Sequence, residues 1–542
     1  MRFLRSMSLV VLASGMALAQ ASSGGQDQNS SVADELKAMR EAMATQQAQI
    51  AQQQKQIETL QQALDAKTTV APHVENAALT TNNAPEVPVA QADVQKPKES
   101  PLSFRIGGTD FTPGGFVDFS NIFRTENTGS VIGTAFGAIP FSNTPAGQST
   151  EFRSSGQYSR FSLKITGKYG ANDVLGYIET DFNGNDAAGV FTTTNPHTLR
   201  LRVFYVNVKR GKWEFTAGQA WGLMTPNKVG VGPNGPDLSL PGSTDGNIHV
   251  GMYYSRDGQL RVAFHPNSKF SWAVAAENPQ QITAGEVTTP AAFPANGQLA
   301  GQLDGNATPG VPNAFPDIVT KFAYDTKLGS RAFHVEAGGM ITSVKLVAQA
   351  SPIVAGSPFN KHTKIGSGFL GSINLEMTKK LRLLADGMYG AGLGRYFIGL
   401  GPQYVVAPVA LTPTTFDFAI SMVHSGSGFG GLEYQLGPNT VLGAYYGGVY
   451  YGRNAFADIS SPATVKPIVG FGGTGSALSN NRAVQEGSFV LTQTLWKNPQ
   501  YGALVLINDA SYSTRSPWFI PAGAPKNAHM FMDHLVLRYL IP

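Results

Sequence analysis

From Phe104 to the end of the chain, apolar and polar residues alternate in segments of about ten residues separated by turn formers. That is the pattern of strands with lipid on one side and water on the other. It is clearest at Arg160 to Tyr169, where Arg160, Ser162, Lys164, Thr166 and Lys168 share one face and Phe161, Leu163, Ile165 and Tyr169 the other. A slip of one residue would exchange the two faces. Short connections are predicted near residues 170–172, 210–211, 266–268, 327–330, 378–379, 437–438 and 497–499. Long polar, Gly/Pro-rich ones are predicted near 126–157, 183–198, 223–246, 278–316, 346–363, 391–426, 452–481 and 513–527. Short and long connections alternate, which gives sixteen antiparallel strands with both chain ends on the side of the short turns. The count treats Ile248 to His265 as one long strand with a kink near Asp257-Gly258. Trp213 and Trp496 flank short turns, where an interfacial girdle belongs. A soluble sandwich or propeller would point its apolar faces inward and would not segregate long connections from short ones. The predicted class is all-β: a 16-stranded antiparallel transmembrane β-barrel over residues 104–542, with an N-terminal α-helical coiled-coil segment.

The first 103 residues follow other patterns. Arg2 and Arg5, the apolar run MSLVVLASGM and Ala17-Leu18-Ala19 make residues 1–19 a signal peptide, too short to span a bilayer of about 30 Å as a helix. Within 20–67, Leu36, Met43, Ile50, Ile57 and Leu64 fall seven apart. Met39 and Leu60 take the position three later in the outer heptads, and Gln46 and Gln53 take it in the middle as a polar layer. Ser31 is the predicted N-cap, and the seam predicts self-association in the periplasm. Pro72, Pro85, Pro88, Pro97 and Pro101 mark residues 68–103 as a flexible linker.

Composition removes most other functions. The 542 residues include 61 Gly, no Cys and only 14% charged residues, so disulfides, thiolate metal sites and Cys nucleophiles are excluded. A formal charge of +4 without a basic arm sets nucleic acid aside. GxGxxG spacing occurs at Gly230, Gly426 and Gly470, but none opens a helix, and Pro233 and Pro236 block one after the first. No HExxH or GxSxG is present, and His249, His265, His334 and His534 are expected within strands as polar lining. The reading is of a protein that is not an enzyme, with no cofactor and no metal.

In a barrel this wide, function lies in the side chains that narrow the lumen. Arg160, Lys164 and Lys168 on the second strand and Arg200 and Arg202 on the fourth are expected to point inward, because Phe161, Leu163, Leu199, Leu201 and Val203 claim the lipid side. Glu179 and Asp181 lie between them on the third strand, and Arg261 joins the set. On the second to fourth strands alone, five cations against two anions make one wall basic, which predicts an anion preference. The loop at 223–246, with Lys228, Asp237 and Asp245, is a candidate constriction.

The heptads from Leu36 to Leu64, the run LRLRVFYVNV at Leu199 followed by AGQAW at Ala217, the ENP at Glu277 and the closing strand together resemble the DcaP-like trimeric porins of Gram-negative outer membranes. The resemblance implies a homotrimer in outer-membrane lipid and lipopolysaccharide, with a periplasmic coiled coil and uptake of small anions such as dicarboxylates. Of the family's residues it carries over Arg200, Arg202 and the Gln219/Trp221 pair. The ending LRYLIP departs from the usual terminal aromatic, since Tyr539 sits three residues short. Two alternatives stand beside the anion porin. One is a carbohydrate-specific porin, although Tyr445, Tyr446, Tyr450 and Tyr451 are too local for an aromatic ladder. The other is a structural tether that reaches peptidoglycan through the N-terminal segment.

Overall fold

The computed structural model describes residues 100–184, 198–283, 287–293, 314–354, 356–399 and 401–542. The signal peptide, the coiled coil and all but the last residues of the linker lie outside the described residues. The strands are β1 Thr109–Arg124, β2 in two pieces (Glu151–Ser155 and Arg160–Tyr169), β3 Asn172–Asp181, β4 Arg200–Arg210 and β5 Trp213–Trp221. Next come β6 Arg256–Phe264, β7 Phe270–Glu277, β8 Asp317–Leu328, β9 Arg331–Gln349, β10 Phe359–Glu376 and β11 Leu381–Ala391. The last are β12 His424–Gly437, β13 Thr440–Tyr451, β14 Asn481–Asn498, β15 Gly502–Pro517 and β16 Ala528–Leu540.

Each strand pairs antiparallel with its sequence neighbours, and β16 returns to β1 with a register from Phe116↔Leu540 to Arg124↔Met532. The other edge of β1 pairs with β2, so the sheet has no free edge. Closure is what a bilayer requires, because an unpaired amide in hydrocarbon costs several kcal/mol. The cylinder is inside-out relative to a soluble protein. Large apolar side chains such as Phe161, Leu260, Phe322 and Phe369 are exposed on its outside, while Asp181, Lys321, Glu486 and Asp509 are buried within. A Lys or Arg placed outward at mid-bilayer would cost about 2–4 kcal/mol, which the alternation avoids.

Tight turns join the strands at one rim, with Gly170, Gly211 and Gly329 taking positive φ there. The other rim carries the long connections, two of which hold small hairpins of their own, Tyr404–Ala410 with Phe416–Met422 and Asn454–Ala457 with Ile468–Phe471. Trp213 and Trp496 lie beside tight turns and are exposed. Tyr539 also points outward, and its hydroxyl donates to the Tyr501 carbonyl.

Two sequence expectations are corrected. Ile248 to His265 is not one strand: β6 begins at Arg256, His265 lies in the following turn, and residues 222–255 form a loop that enters the barrel. Ile248, Val250, Met252 and Tyr254 alternate as a strand would, but Val250, Met252 and Tyr253 are buried against the inner wall. A Cβ on Gly251 (φ 96°) would lie 2.2 Å from the Gly428 carbonyl oxygen of β12, so the backbone itself rests on the wall. His249, expected in a strand, belongs to this loop. The second correction is Val203, which is 1% exposed rather than lipid-facing. Opposite Glu179 and Thr180 the register of β4 slips by one residue, which turns both Arg202 and Val203 inward.

Candidate functional site

The inner loop, residues 222–255, is held by buried charge from the strands around it. In its first half, the Leu223 amide donates to Glu277 on β7 (2.6 Å), and the Asn227 amide to Glu336 on β9 (3.1 Å). Lys321 Nζ on β8 donates to the Thr225 carbonyl (2.9 Å) and pairs with Glu336 (2.7 Å). In its second half, the Gly242 amide donates to the Tyr445 hydroxyl (2.9 Å), the Thr244 amide to Asp509 (3.1 Å) and the Val250 amide to Glu486 (2.8 Å). The carboxylates inside the barrel thus serve as acceptors for loop amides that would otherwise be buried unpaired.

Where the loop passes β1, it meets a set of arginines. The pairs Arg160↔Asp181 and Asp181↔Arg200 place β2, β3 and β4 side by side, and the bulge brings Arg202 to the same level. Arg200 pairs with Asp181 (2.7 Å), and Arg202 with Glu179 (2.7 Å) and Asp181 (2.8 Å). Arg160 and Arg538 reach Asp245 of the loop at 2.7 Å each, and both guanidinium groups lie over the Phe116 ring between them. Burial disfavours ionisation of Asp245, but Arg160, Arg538 and Arg202 outweigh it and hold the carboxyl well below the usual carboxylate range. Arg256, opposite Trp221 in the β5–β6 register, has no carboxylate partner among the described residues. Its guanidinium lies 5.1 Å from the Trp221 ring and 5.8 Å from that of Tyr254.

The closed barrel has a counterpart among solved structures. In fold, the chain resembles an outer-membrane channel. With DcaP of Acinetobacter baumannii the TM-score is 0.54 at 16% identity, over 81% of this chain and 100% of that one. OmpT, an outer membrane protein of Vibrio cholerae, gives 0.42 at 8% identity over 81% and 99%. An anion-selective porin from Comamonas acidovorans gives 0.41 at 10% identity over 80% and 100%. No protein-family model and no curated protein matches the chain. The resemblance to DcaP therefore stands at the level of the fold.

Of the residues singled out in the sequence, Arg160, Glu179, Asp181, Arg200 and Arg202 form one ion-pair network inside this DcaP-like barrel. Arg200 is its more open cation, with one third of its side chain exposed. Lys164 is exposed on the same strand, and Lys168 pairs with Asp173 near the tight-turn rim. Arg261 lies under the inner loop, where it donates to the carbonyls of Val231 (2.9 Å) and Trp221 (2.5 Å). Sequence reasoning missed Asp245, Arg538 and Asp118, which extend the network through the Arg160–Asp245, Arg538–Asp245 and Arg538–Asp118 (2.8 Å) pairs, and it missed Arg256 beside them. Asp118 and Arg538 were within reach of it, since each alternates with apolar neighbours: Val117 and Phe119, and Leu537 and Tyr539. Arg256 was hidden by the supposed strand kink. The four tyrosines at 445–451 do not cluster: Tyr445 and Tyr451 face inward, Tyr446 and Tyr450 outward.

Proposed function

We propose that the protein is a bacterial outer-membrane porin through which small hydrophilic solutes diffuse passively, with a preference for anions such as dicarboxylates. The observation that carries this reading is the arginine cluster on adjacent strands beside the inner loop, in which Arg256 makes no ion pair with a carboxylate among the described residues and Arg200 remains partly open to solvent. Fixed cations on a low-dielectric wall concentrate anions near them. Arg160, Lys164, Lys168, Glu179, Asp181, Arg200 and Arg202 line the path on this reading, and Arg261 stiffens the loop beside it. The signal peptide over 1–19 directs export, the heptads within 20–67 join three copies in the periplasm, and 68–103 tethers them to the barrels.

The test is the reversal potential of single channels in a salt gradient. The unaltered protein should favour anions, and changing Arg200 and Arg256 together to Ala should lower the anion-to-cation permeability ratio several-fold. An unchanged ratio would remove these side chains from selectivity. A protein that inserts but never conducts would instead be the cell-wall tether.

A further inference from the structure

We infer that residues 393–399, at the start of the β11–β12 connection, form a strap across the bore that shuts the side away from the arginines and confines solutes to the arginine wall. The inference rests on the porin reading above and adds the route. At one end of the strap, Arg395 pairs with Asp317 at the start of β8 (2.8 Å) and with Asp257 on β6 (3.6 Å), and the Tyr396 hydroxyl donates to the same Asp317 carboxylate. At the other end the backbone rests on the wall: a Cβ on Gly399 (φ 112°) would lie 3.4 Å from Val449 of β13 and 3.9 Å from Val484 of β14. In the ring of sixteen strands β6 and β14 are diametrically placed, so the two anchorages face each other across the lumen. Between them the strap pairs with the inner loop. Phe397 bridges Tyr253 antiparallel, the Tyr254 amide donates to the Tyr396 carbonyl (3.2 Å), and the Ile398 amide donates to the Met252 carbonyl (3.2 Å).

Water reaches the two sides of the bore differently. Tyr253, Leu393, Phe397, Val449 and Val484 are each no more than 2% exposed and belong to one continuous apolar cluster. Close packing of this kind has no room for a hydrated solute, and an ion entering it would lose its water without gaining a partner. On the arginine side, Arg160, Asp245 and Arg538 keep 15–19% of their side chains exposed and Arg200 keeps 33%. With the strap untied, the bore would gain a second path along Val449 and Val484, which carry no fixed charge. Current through that path would run in parallel with the arginine route and dilute its selectivity. Arg395 is therefore a positioning residue: its side chain is 6% exposed, and it acts by holding the strap in place.

The deciding variant is Arg395→Gln combined with Asp317→Asn, which unties the strap and leaves the net charge unchanged. In planar bilayers its single-channel conductance should rise while its anion-to-cation permeability ratio falls several-fold. Arg395→Lys, which keeps a cation beside Asp317, should stay close to the unaltered protein in both. A larger conductance at an unchanged ratio, or an unchanged conductance from inserted channels, would overturn the inference. A second measurement leaves the strap intact. The chain has no cysteine, so Val449→Cys and Lys164→Cys can each be treated with a membrane-impermeant anionic thiol reagent and followed by mass. Position 164, exposed on the arginine wall, should react several-fold faster than position 449, and equal rates would overturn the inference. An unaltered channel that conducts without anion preference would remove the anion reading and leave the labelling to decide the strap. One that never conducts would overturn the porin reading and this inference with it.

Discussion

Asp245 carries the middle of the inner loop to two arginines on strands either side of β1, and its charge decides how that tie responds to acid. A carboxylate whose pKa is lowered on folding contributes stability that is complete above its ordinary value of 3.8 and is lost only as pH falls through the lowered one. Open-channel noise should therefore stay constant from about pH 7 down to about pH 4 as far as this group is concerned. Asp245→Asn keeps the shape but removes the charge. Each charge-assisted bond it weakens is worth about 1.5–3 kcal/mol, so the loop should fluctuate more and single-channel recordings should become noisier at neutral pH. The same substitution leaves Arg160 and Arg538 without this acid, which should raise anion preference in the reversal-potential assay.

Among the elements, the inner loop matters most, and it rests on close backbone contact as much as on ion pairs. Gly251→Val would force a side chain into the 2.2 Å gap before the Gly428 carbonyl. Because β6 and β12 are each paired along both edges, the strands should hold and the loop should yield. The expected result is a larger conductance from a barrel that still migrates as folded on an unheated gel. The strands themselves were legible in the sequence, since each must alternate to separate lipid from water: the span expected at Arg160 to Tyr169 is the one observed. Of the inner loop, the stretch 223–246 stood out in the sequence as a candidate constriction, but its continuation through Ile248, Val250, Met252 and Tyr254 did not, because those residues alternate for a different reason, packing into a wall inside the lumen. Nor was the bulge at Arg202 legible, since it changes the parity of β4 without any Gly or Pro to announce it. Parity shows which way a side chain points. It does not show that Arg160 and Arg538, 378 positions apart in number, share one carboxylate.

At the scale of the whole molecule, the apolar outside and polar inside separate the tryptophans into two environments. Trp213, Trp272 and Trp496 are exposed on the barrel, whereas Trp221 is buried with Val203 and Tyr205. In vesicles of brominated lipid, a variant retaining Trp272 alone should lose most of its fluorescence, and one retaining Trp221 alone should keep it. Equal quenching of the two would mean that the faces are not divided in this way.

Ser100 Oγ donates to the Pro542 carbonyl at 2.8 Å, and the Ile541 amide donates to Gly115 beside it. The described chain therefore starts and stops at one spot, and as a ring of strands the barrel has no topological beginning. A few glycines spliced between residues 542 and 100 should be accommodated without strain, and fresh termini opened at Gly170 or Gly329 should yield the same cylinder from a circularly permuted gene.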